Sequence, residues 1–321
     1  MASLRPILFA IAALPLALPL VACGGGDDGA SEPEGPHYTY VASQVFVPTN
    51  NNQAREYGLD LNDDGTTDNQ LGMVLGTLAG QGFEVQATID EAVATGSIIL
   101  LQDFQTSSFT STTGAGLSIK LGDKATAMPQ PCTTPTDLST CGKHLAGTGV
   151  FTVAAGSPDN AAVAGKIAGG TFTGGPGKVA LQIALGGTDA IRLDLIGARA
   201  KATGISETGM DSVILAGALT KNDLDTKVIP AIHQQIVPII TRDCPTPTAS
   251  DCGCMTGSTG KTVLGLFDTM PKDCMVTVDE IKNNTLIQSL LAPDVTIDGE
   301  MALSLGIKVK AVKATFPTPA E

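Results

Sequence analysis

The sequence has few of the side chains on which several functions depend. It contains no Trp, 3 Tyr and 9 Phe, so aromatic residues make up only 4% of its 321 residues. Proteins that bind bases or sugars commonly stack them on aromatic side chains, and that platform is scarce here. Lys and Arg number 19 against 32 Asp and Glu, which gives a formal charge of -13. Such an acidic chain repels phosphate backbones, so we expect no nucleic-acid partner.

Histidines and catalytic motifs are equally scarce. The three histidines, His37, His144 and His233, lie far apart in the sequence, and neither a G-x-S-x-G nor an H-E-x-x-H motif occurs. Residues 257–262 are similar to the end of a phosphate-binding loop, but Met255 stands where that pattern needs Gly. We therefore expect no catalytic residues and no enzyme. A hydrolase that uses two carboxylates is an alternative, because the many acids offer many pairs.

The apolar run near the N-terminus is too short to be a stable membrane span. Residues 7–20 are almost wholly apolar and follow Arg5, a pattern typical of a signal peptide, which we predict over residues 1–22. The run ends in Leu20-Val21-Ala22-Cys23, which resembles the lipobox of bacterial lipoproteins. The resemblance implies that the chain is cut before Cys23 and that this cysteine carries diacylglycerol. An ordinary cleaved signal with an incidental cysteine is the alternative.

The residues after Cys23 predict a tether and then one domain. Residues 23–36 are rich in Gly, Asp and Glu and show no apolar periodicity, which is typical of a flexible linker. We expect residues 37–321 to form a single globular domain. Gly24 resembles the residue that follows the cysteine in lipoproteins sorted to the outer membrane. The expected location is therefore the bacterial envelope, with the domain facing the periplasm or the exterior.

Six further cysteines predict disulfides, because an even number in an exported chain is typical of a disulfide framework. They are Cys132, Cys141, Cys244, Cys252, Cys254 and Cys274. The polar loop from Cys132 to Cys141 can close on itself. Two pairings of the other four remain open, since the C-x-C pair is too close to bond without strain: 244–252 with 254–274, or 244–254 with 252–274. A four-cysteine zinc site is less favoured, because such sites usually present C-x₂₋₄-C pairs.

Hydrophobic periodicity predicts a mixed α+β fold. Alternating apolar residues predict strands at 38–47, 98–104, 117–121, 150–153, 179–185, 191–195, 198–203, 213–219 and 303–310. Helical spacing predicts helices at 71–78, 85–93, 222–240 and 278–291, the third kinked or divided at Pro230 and Pro238. Lys308 and Lys310 place the last strand at an exposed or edge position. We expect an antiparallel sheet or sandwich with packed helices, stapled by disulfides.

Residues 60–68 carry the pattern of oxygen ligands that calcium loops use. Gly65 supplies the sharp turn, and the expected metal ligands are the side chains of Asp60, Asn62, Asp64 and Asp68 and the carbonyl of Thr66. The pattern resembles EF-hand-like, dockerin and thrombospondin-type loops, which implies Ca²⁺ as the cofactor. Leu71 stands where an EF-hand has Glu, so either a remote carboxylate completes the shell or the affinity is about 10⁻⁴–10⁻³ M. An acidic turn without metal is the alternative.

A fainter copy of this pattern occurs at residues 294–299. Ala302 replaces its ninth-place ligand, so we expect a turn there.

The lipobox, the tether, the entry to the calcium-like loop at 57–60 and the segments 290–294 and 302–306 together resemble uncharacterised myxobacterial-type envelope lipoproteins. The resemblance implies an envelope location and calcium, and no particular activity. We expect a lipid-anchored cell-envelope protein that is a calcium-stabilised binding or structural module without catalysis. A carrier or receptor for an apolar ligand is the alternative, because alternating strands and an amphipathic helix can enclose a cavity. The expected partners are the membrane, through the lipid, and a small apolar ligand or an envelope protein.

Overall fold

The computed structural model describes residues 31–80, 85–132, 141–159, 161–183, 191–248, 251–269 and 271–318. The architecture is mixed α+β, and its largest part is a sheet of ten strands. The strands are β1 (His37–Phe46), β2 (Leu100–Thr106), β3 (Thr112–Leu121), β4 (Gly149–Val150), β5 (Ala162–Ala168), β6 (Thr171–Ile183), β7 (Ile191–Ser206), β8 (Gly209–Thr220), β9 (Val295–Ile297) and β10 (Glu300–Thr315).

Eight of these strands form one closed sheet. Their order is β1-β2-β3-β5-β6-β7-β8-β10, and β10 returns to pair with β1. Every neighbouring pair in this ring is antiparallel; Tyr40 of β1, for example, lies opposite Gln102 of β2 on one side and Lys313 of β10 on the other. The antiparallel sheet is therefore confirmed, whereas a sandwich is not, because the strands belong to a single sheet.

β10 is enclosed on both edges, which corrects the expectation of an edge position. Its residues 302–312 pair with β8, and residues 308–313 pair with β1. Lys310 is exposed as predicted, and Lys308 forms an ion pair with Glu56 at 3.0 Å. The lysines therefore mark the exposed face of a central strand.

The inside of the closed sheet is filled mainly by apolar side chains. Tyr40, Phe104 and Phe172 are fully buried there, within the largest apolar cluster of the molecule. The rings of Phe104 and Phe172 meet edge to face, with centroids 5.1 Å apart. An eight-stranded closed sheet has an interior just wide enough for side chains, so this interior is the main core.

Helices lie at the ends and on the outside of the closed sheet. They are α1 (Asn51–Glu56), α2 (Gln70–Gly80), α3 (Val85–Ala94), α4 (Lys221–Asp223), α5 (Ile229–Asp243), α6 (Thr259–Phe267), α7 (Val278–Asn283) and α8 (Thr285–Leu290). Leu71 and Val74 of α2 and Ile89 and Val93 of α3 join the main core, as their helical spacing predicts. Asn284 divides the predicted helix at 278–291 into α7 and α8, whose first turn its side chain caps.

The predicted helix at 222–240 runs from Lys221 to Asp243 in three pieces. Its middle piece, Leu224–Val228, is a π-helical turn that ends just before Pro230. Proline has no N–H to donate into an α-helical ladder, so the wider turn accommodates the interruption. Pro238 lies inside α5. The interruption expected at Pro230 is therefore present as the π-helical turn just before it, whereas Pro238 does not divide α5.

Three disulfides staple the structure. They join Cys132 to Cys141, Cys244 to Cys254 and Cys252 to Cys274. This is one of the two pairings that the spacing leaves open, and it leaves no thiolates for the alternative zinc site. Two of the bonds lie in the unit formed by α5–α8, which has an apolar cluster of its own.

A long connection covers part of the outer face of the sheet. We call residues 123–132 and 141–153 the flap. With the flap residue Phe151, the side chains of Val41, Leu101 and Phe316 form an apolar cluster between the flap and strands β1, β2 and β10. Within the flap, β4 pairs in parallel with the end of β10.

The end of the predicted tether lies on β3. The N–H of Ser31 donates to the carbonyl of Thr113 at 2.8 Å. Pro33 passes over Gly116, where an added Cβ would lie 2.7 Å from the proline ring. Cys23, the predicted signal peptide and the first part of the tether lie outside the described residues. Within the described ranges, no helix is long and apolar enough to cross a membrane.

Candidate functional site

The predicted calcium loop, residues 60–68, is closed at its base. Leu59 and Asp68 form an antiparallel bridge in which the N–H of Asp68 donates to the carbonyl of Leu59 at 3.0 Å. The loop leaves the chain after α1 and returns to it just before α2, which starts at Gln70. The first and last candidate ligands are therefore brought together by the backbone.

Gly65 makes the turn that the pattern predicts. Its φ of 85° lies in the left-handed region that favours glycine. Its N–H donates to Oδ2 of Asp60 at 2.8 Å. The first carboxylate of the loop is therefore held across the sharp turn.

Successive polar side chains brace the backbone of the loop. Oδ1 of Asn62 accepts from the N–H of Asp64 at 3.2 Å, and Oδ1 of Asp64 accepts from the N–H of Thr66 at 2.8 Å. The hydroxyl of Thr66 also donates to Asp64. These bonds, first the hydroxyl and then the N–H of Thr66, lower the pKa of Asp64 below its ordinary value. Asp64 is therefore held in its charged form.

The negative charges of two other carboxylates of the loop are only partly offset by hydrogen bonds. Oδ1 of Asp60 is shielded from solvent and has no hydrogen-bond partner in the part of the chain that the structure describes. Burial raises the pKa of Asp68 above its ordinary value; a bond from the N–H of Leu61 at 2.7 Å opposes this, and the charges of Asp64, Asp294 and Asp60 add to it. A cation bound here would offset both the buried oxygen and the repulsion.

The chemistry of the donor set fits calcium, a hard cation that takes oxygen ligands. The carboxylates of the loop, however, do not lie close enough together to share one ion. Among the described residues, three His, Cys, Asp or Glu ligand atoms lie within 4.8 Å of one another only at Cys252, Asp268 and Cys274, outside the loop. Ion binding would therefore require the loop carboxylates to move closer together.

The cluster at Asp268 is a structural turn. Its two cysteines are bonded to each other, so neither offers a thiolate. The carboxylate of Asp268 accepts from the N–H groups of Asp273 and Cys274 at 3.2 and 3.0 Å. Asp268 therefore stabilises the backbone at Cys274, whose φ of 65° is left-handed.

The candidate loop is docked on the outer face of the closed sheet. Leu61 is buried against Ala216, Ala218 and Val295, and Asp63 accepts from Arg199 at 2.7 Å. The fainter copy of the pattern lies beside it. It forms β9 and a two-residue turn in which Asp298 and Gly299 both have positive φ. The expectation of a turn there is confirmed.

Asn69, which the sequence does not single out, ties the loop to three elements. Its side-chain N–H groups donate to the carbonyls of Ala54 and Gly306 at 2.9 and 3.0 Å. Its Oδ1 accepts from the N–H groups of Gly72 and Gly306 at 3.0 and 2.8 Å. An Asn just before a helix is a sequence signal for an N-terminal cap. The partner on β10 is 237 residues away, which local pattern cannot reveal.

The histidines lie in separate environments. His37 bonds to Asp103 at 2.8 Å between β1 and β2. His233 bonds through Nε2 to the carbonyl of Val276 at 2.8 Å in the unit of α5–α8. His144 is buried in the flap. Across the described ranges, they therefore form no shared catalytic or metal-binding group.

The segment that is similar to a phosphate-binding loop begins α6, where a carboxylate already binds. Ser258 caps this helix, accepting from the N–H of Lys261 at 3.3 Å. The N–H of Gly260 donates to Oδ2 of Asp243 at 2.8 Å. A phosphate at the same helix end would meet this negative charge, which agrees with the mismatch at Met255 in the sequence.

Two surface grooves bear on the alternative functions. The first, of about 370 Å³, contains Asp279 and Glu280. The carboxylate of Glu280 accepts from Thr269 and Thr277 in a capping box of α7. The second groove, of about 250 Å³, lies on β6 and β7. Each groove is smaller than, or at the lower end of, the range typical of small-molecule sites.

Comparisons with known proteins yield no relative. No protein-family model matches the chain, and neither a curated protein nor a solved structure matches it. The function must therefore be inferred from the residues of this chain.

Proposed function

We propose that this protein is a lipid-anchored cell-envelope protein whose domain is a calcium-stabilised binding or structural module without catalysis. One observation carries the proposal of calcium: Oδ1 of Asp60 is buried without a partner among the residues that the structure describes, in a loop where Asp68 lies among other negative charges. Calcium supplies the compensating positive charge when bound. The ligands that would hold it are Asp60, Asn62, Asp64, Asp68 and the carbonyl of Thr66.

The position of the loop indicates what the ion would do. The loop connects α1 to α2, and Leu61 packs on the outer face of β8 and β9. Asn69, at the end of the loop, bonds to β10. Fixing the loop would therefore hold both helices on the closed sheet. An ion that binds the folded chain and not the unfolded chain stabilises the fold by mass action.

The envelope location is supported by the N-terminal sequence. The lipobox-like residues end at Cys23, and residues 31–33, near the end of the tether, lie on β3. A lipid on Cys23 would make the membrane a partner and would keep the domain close to it. The outer membrane, facing the periplasm or the exterior, is the proposed location, and an envelope protein or a small apolar ligand is the proposed further partner.

Thermal unfolding of the full chain, in chelator and in increasing calcium, tests the metal. We expect the melting temperature to rise with a midpoint of about 10⁻⁴–10⁻³ M calcium. Asp64→Ala should remove most of that rise. Asp279→Ala, which changes an exposed acid on α7, should leave it intact. A full calcium response in Asp64→Ala would place the ion elsewhere.

Mass spectrometry of the N-terminal peptide, after expression in a bacterium that processes lipoproteins, tests the anchor. We expect the peptide to start at Cys23 and to carry a diacylglycerol mass, and the protein to partition with membranes. Cys23→Ser should be recovered in the soluble fraction. An unlipidated wild-type N-terminus would contradict the anchor and leave the calcium proposal standing.

A further inference from the structure

His144 is a fully buried histidine whose ring nitrogens have no well-formed hydrogen bond among the described residues. Its exposed fraction is 0%, and its ring packs against that of Phe151 in the flap, with centroids 6.2 Å apart and planes at 70°. Neither Nδ1 nor Nε2 makes a hydrogen bond to any residue that the structure describes. Burial without a partner is tolerable for the neutral ring and much more costly for the imidazolium.

The backbone around His144 forms a short turn that is bounded by glycines. His144 lies in a single helical turn, Lys143–Leu145, in which the N–H of Leu145 donates to the carbonyl of Gly142 at 2.8 Å. Gly142 and Gly147 flank the turn with φ of 73° and 88°. Glycine crosses between backbone regions at little steric cost. We call residues 142–147 the histidine turn.

The neighbouring elements offer the ring no negative charge. From the flap, Lys124 acts on the ring, and Lys143 beside it is exposed. Asp123, the acid of the flap, accepts from the N–H of Ala125 at 2.8 Å. From α3, the backbone of Val93 makes a weak polar contact that favours the protonated ring, and the acidic side chains of Asp90 and Glu91 are exposed. β4 consists of Gly149 and Val150 and has no ionisable side chain.

The sheet beneath the flap is apolar next to the histidine turn. Val41, Leu101 and Ala314 form this face, and Phe316, just after β10, packs with them. The ionisable groups farther along the same face of β1 and β2 are His37 and Asp103, which bond to each other at 2.8 Å. No described acid is therefore placed to stabilise a protonated His144.

We propose that the histidine turn is an acid-operated latch: when His144 takes up a proton from water, residues 142–147 swing out on their glycines and uncover apolar surface of β1, β2 and β10. The neutral ring closes the flap, and the imidazolium opens it because the charge has to reach solvent. The uncovered surface belongs to the cluster of Val41, Leu101 and Phe316.

The direction of the pH effect follows from the surroundings of the ring. Burial lowers the pKa of His144 below its ordinary value of 6.5; the backbone of Val93 opposes this and Lys124 adds to it. The opened turn has the ordinary pKa, so it binds the proton more tightly than the closed turn. Stability of the closed flap is therefore complete above pH 6.5 and is lost as the pH falls from there toward the lower pKa of the closed form.

Amide hydrogen exchange of the full chain, read by mass spectrometry, tests the latch. After correction for intrinsic exchange rates, we expect protection of residues 142–147 to fall about tenfold for each pH unit below about 6.5, while β7 stays protected. His144→Phe keeps a ring in the site and cannot ionise, so its protection should not depend on pH. Unchanged protection in the wild type, or an equal loss in His144→Phe, would overturn the proposal.

A second variant covers the case in which His144→Phe does not fold. Lys124 is exposed, so the Lys124→Glu variant should fold. It replaces the positive charge that repels the imidazolium with a negative charge that attracts it. The closed form then tolerates the proton better, and we expect a smaller acid-induced loss of protection. Lys272→Glu, an equal charge change at an exposed site after α6, is the control. If Lys124→Glu loses as much protection in acid as Lys272→Glu and the wild type do, the latch is contradicted.

Discussion

Asn69 shows how much of this fold depends on one side chain. It is buried, and its amide makes four hydrogen bonds to the backbones of α1, α2 and β10. Asn69→Ala would leave those buried backbone groups without partners, each costing about 1–3 kcal/mol if unsatisfied. We expect the free energy of unfolding to fall by about 3 kcal/mol in total, because water will reach some of the groups.

Urea denaturation followed by circular dichroism measures this loss. Asn283→Ala is the control, since Asn283 is exposed at the end of α7 and its change should stay within about 0.5 kcal/mol. Equal stabilities of the two variants would show that the bonds of Asn69 contribute little.

In contrast to Asn69, Gln102 should lower the stability of the fold, because its buried amide is unpaired among the described residues. It lies fully buried in β2 opposite Tyr40 and Ile119, and neither end of its amide has a partner among the described residues. Replacing an unpaired buried amide by an apolar side chain of similar length removes a cost of about 1–3 kcal/mol. We expect Gln102→Met to raise the free energy of unfolding.

The same urea measurement on Gln44→Met separates burial from side-chain chemistry. Gln44 is exposed on β1, so its replacement should have little effect. A lower stability for Gln102→Met would mean that the amide contributes to the fold in a way that its surroundings do not reveal.

At the scale of elements, sequence pattern identifies those that carry their own signal. Most of the alternating strands and the amphipathic helices α2, α3 and α5 appear where their apolar spacing predicts them. The strands predicted at 191–195 and 198–203 are one strand, β7, and the one predicted at 150–153 is reduced to β4. β5 and β9 are missed. α6 is missed, because its glycines lower helix propensity and its start depends on the carboxylate of Asp243, which comes from α5. The central position of β10 is missed because its neighbours, β1 and β8, are set by long-range pairing.

The structure of the candidate loop can likewise be predicted only in part from the sequence. Its ligand spacing and the turn at Gly65 follow from the order of residues. The proximity of Asp294 to Asp68, and the docking of Leu61 on the sheet, arise from β9 and β8, which lie far away in sequence.

The disulfides allow a prediction about elements. Cys252–Cys274 spans 22 residues and Cys132–Cys141 spans 9. A disulfide restricts the unfolded chain more when it closes a longer loop, so removal should cost about 3 kcal/mol, and more for the longer loop. We expect the Cys252→Ala/Cys274→Ala double variant to unfold at lower urea than Cys132→Ala/Cys141→Ala. The reverse order would show that native-state contacts outweigh loop length.

At the scale of the whole molecule, the charge of -13 is a source of self-repulsion. Salt screens such repulsion over a distance of about 10 Å at 0.1 M ionic strength. In chelator, we expect the melting temperature to rise as sodium chloride is added. The rise should be smaller in saturating calcium, because the ion would already offset the charges around Asp68. Melting temperatures that fall with salt in chelator would instead indicate that attractive ion pairs dominate.

The closure of the sheet by β10 sets an order of events during synthesis. Until residues 300–315 have been made, β1 and β8 each have one edge without a partner strand, because β10 pairs with both of those edges. The nascent chain therefore carries two unpaired strand edges for most of its length, and such edges invite association with other chains. We expect a chain that ends after residue 299 to be digested rapidly by protease under conditions in which the whole chain resists. Export of the unfolded polypeptide, with folding delayed until its last strand has arrived, would suit this topology better than folding as the ribosome proceeds.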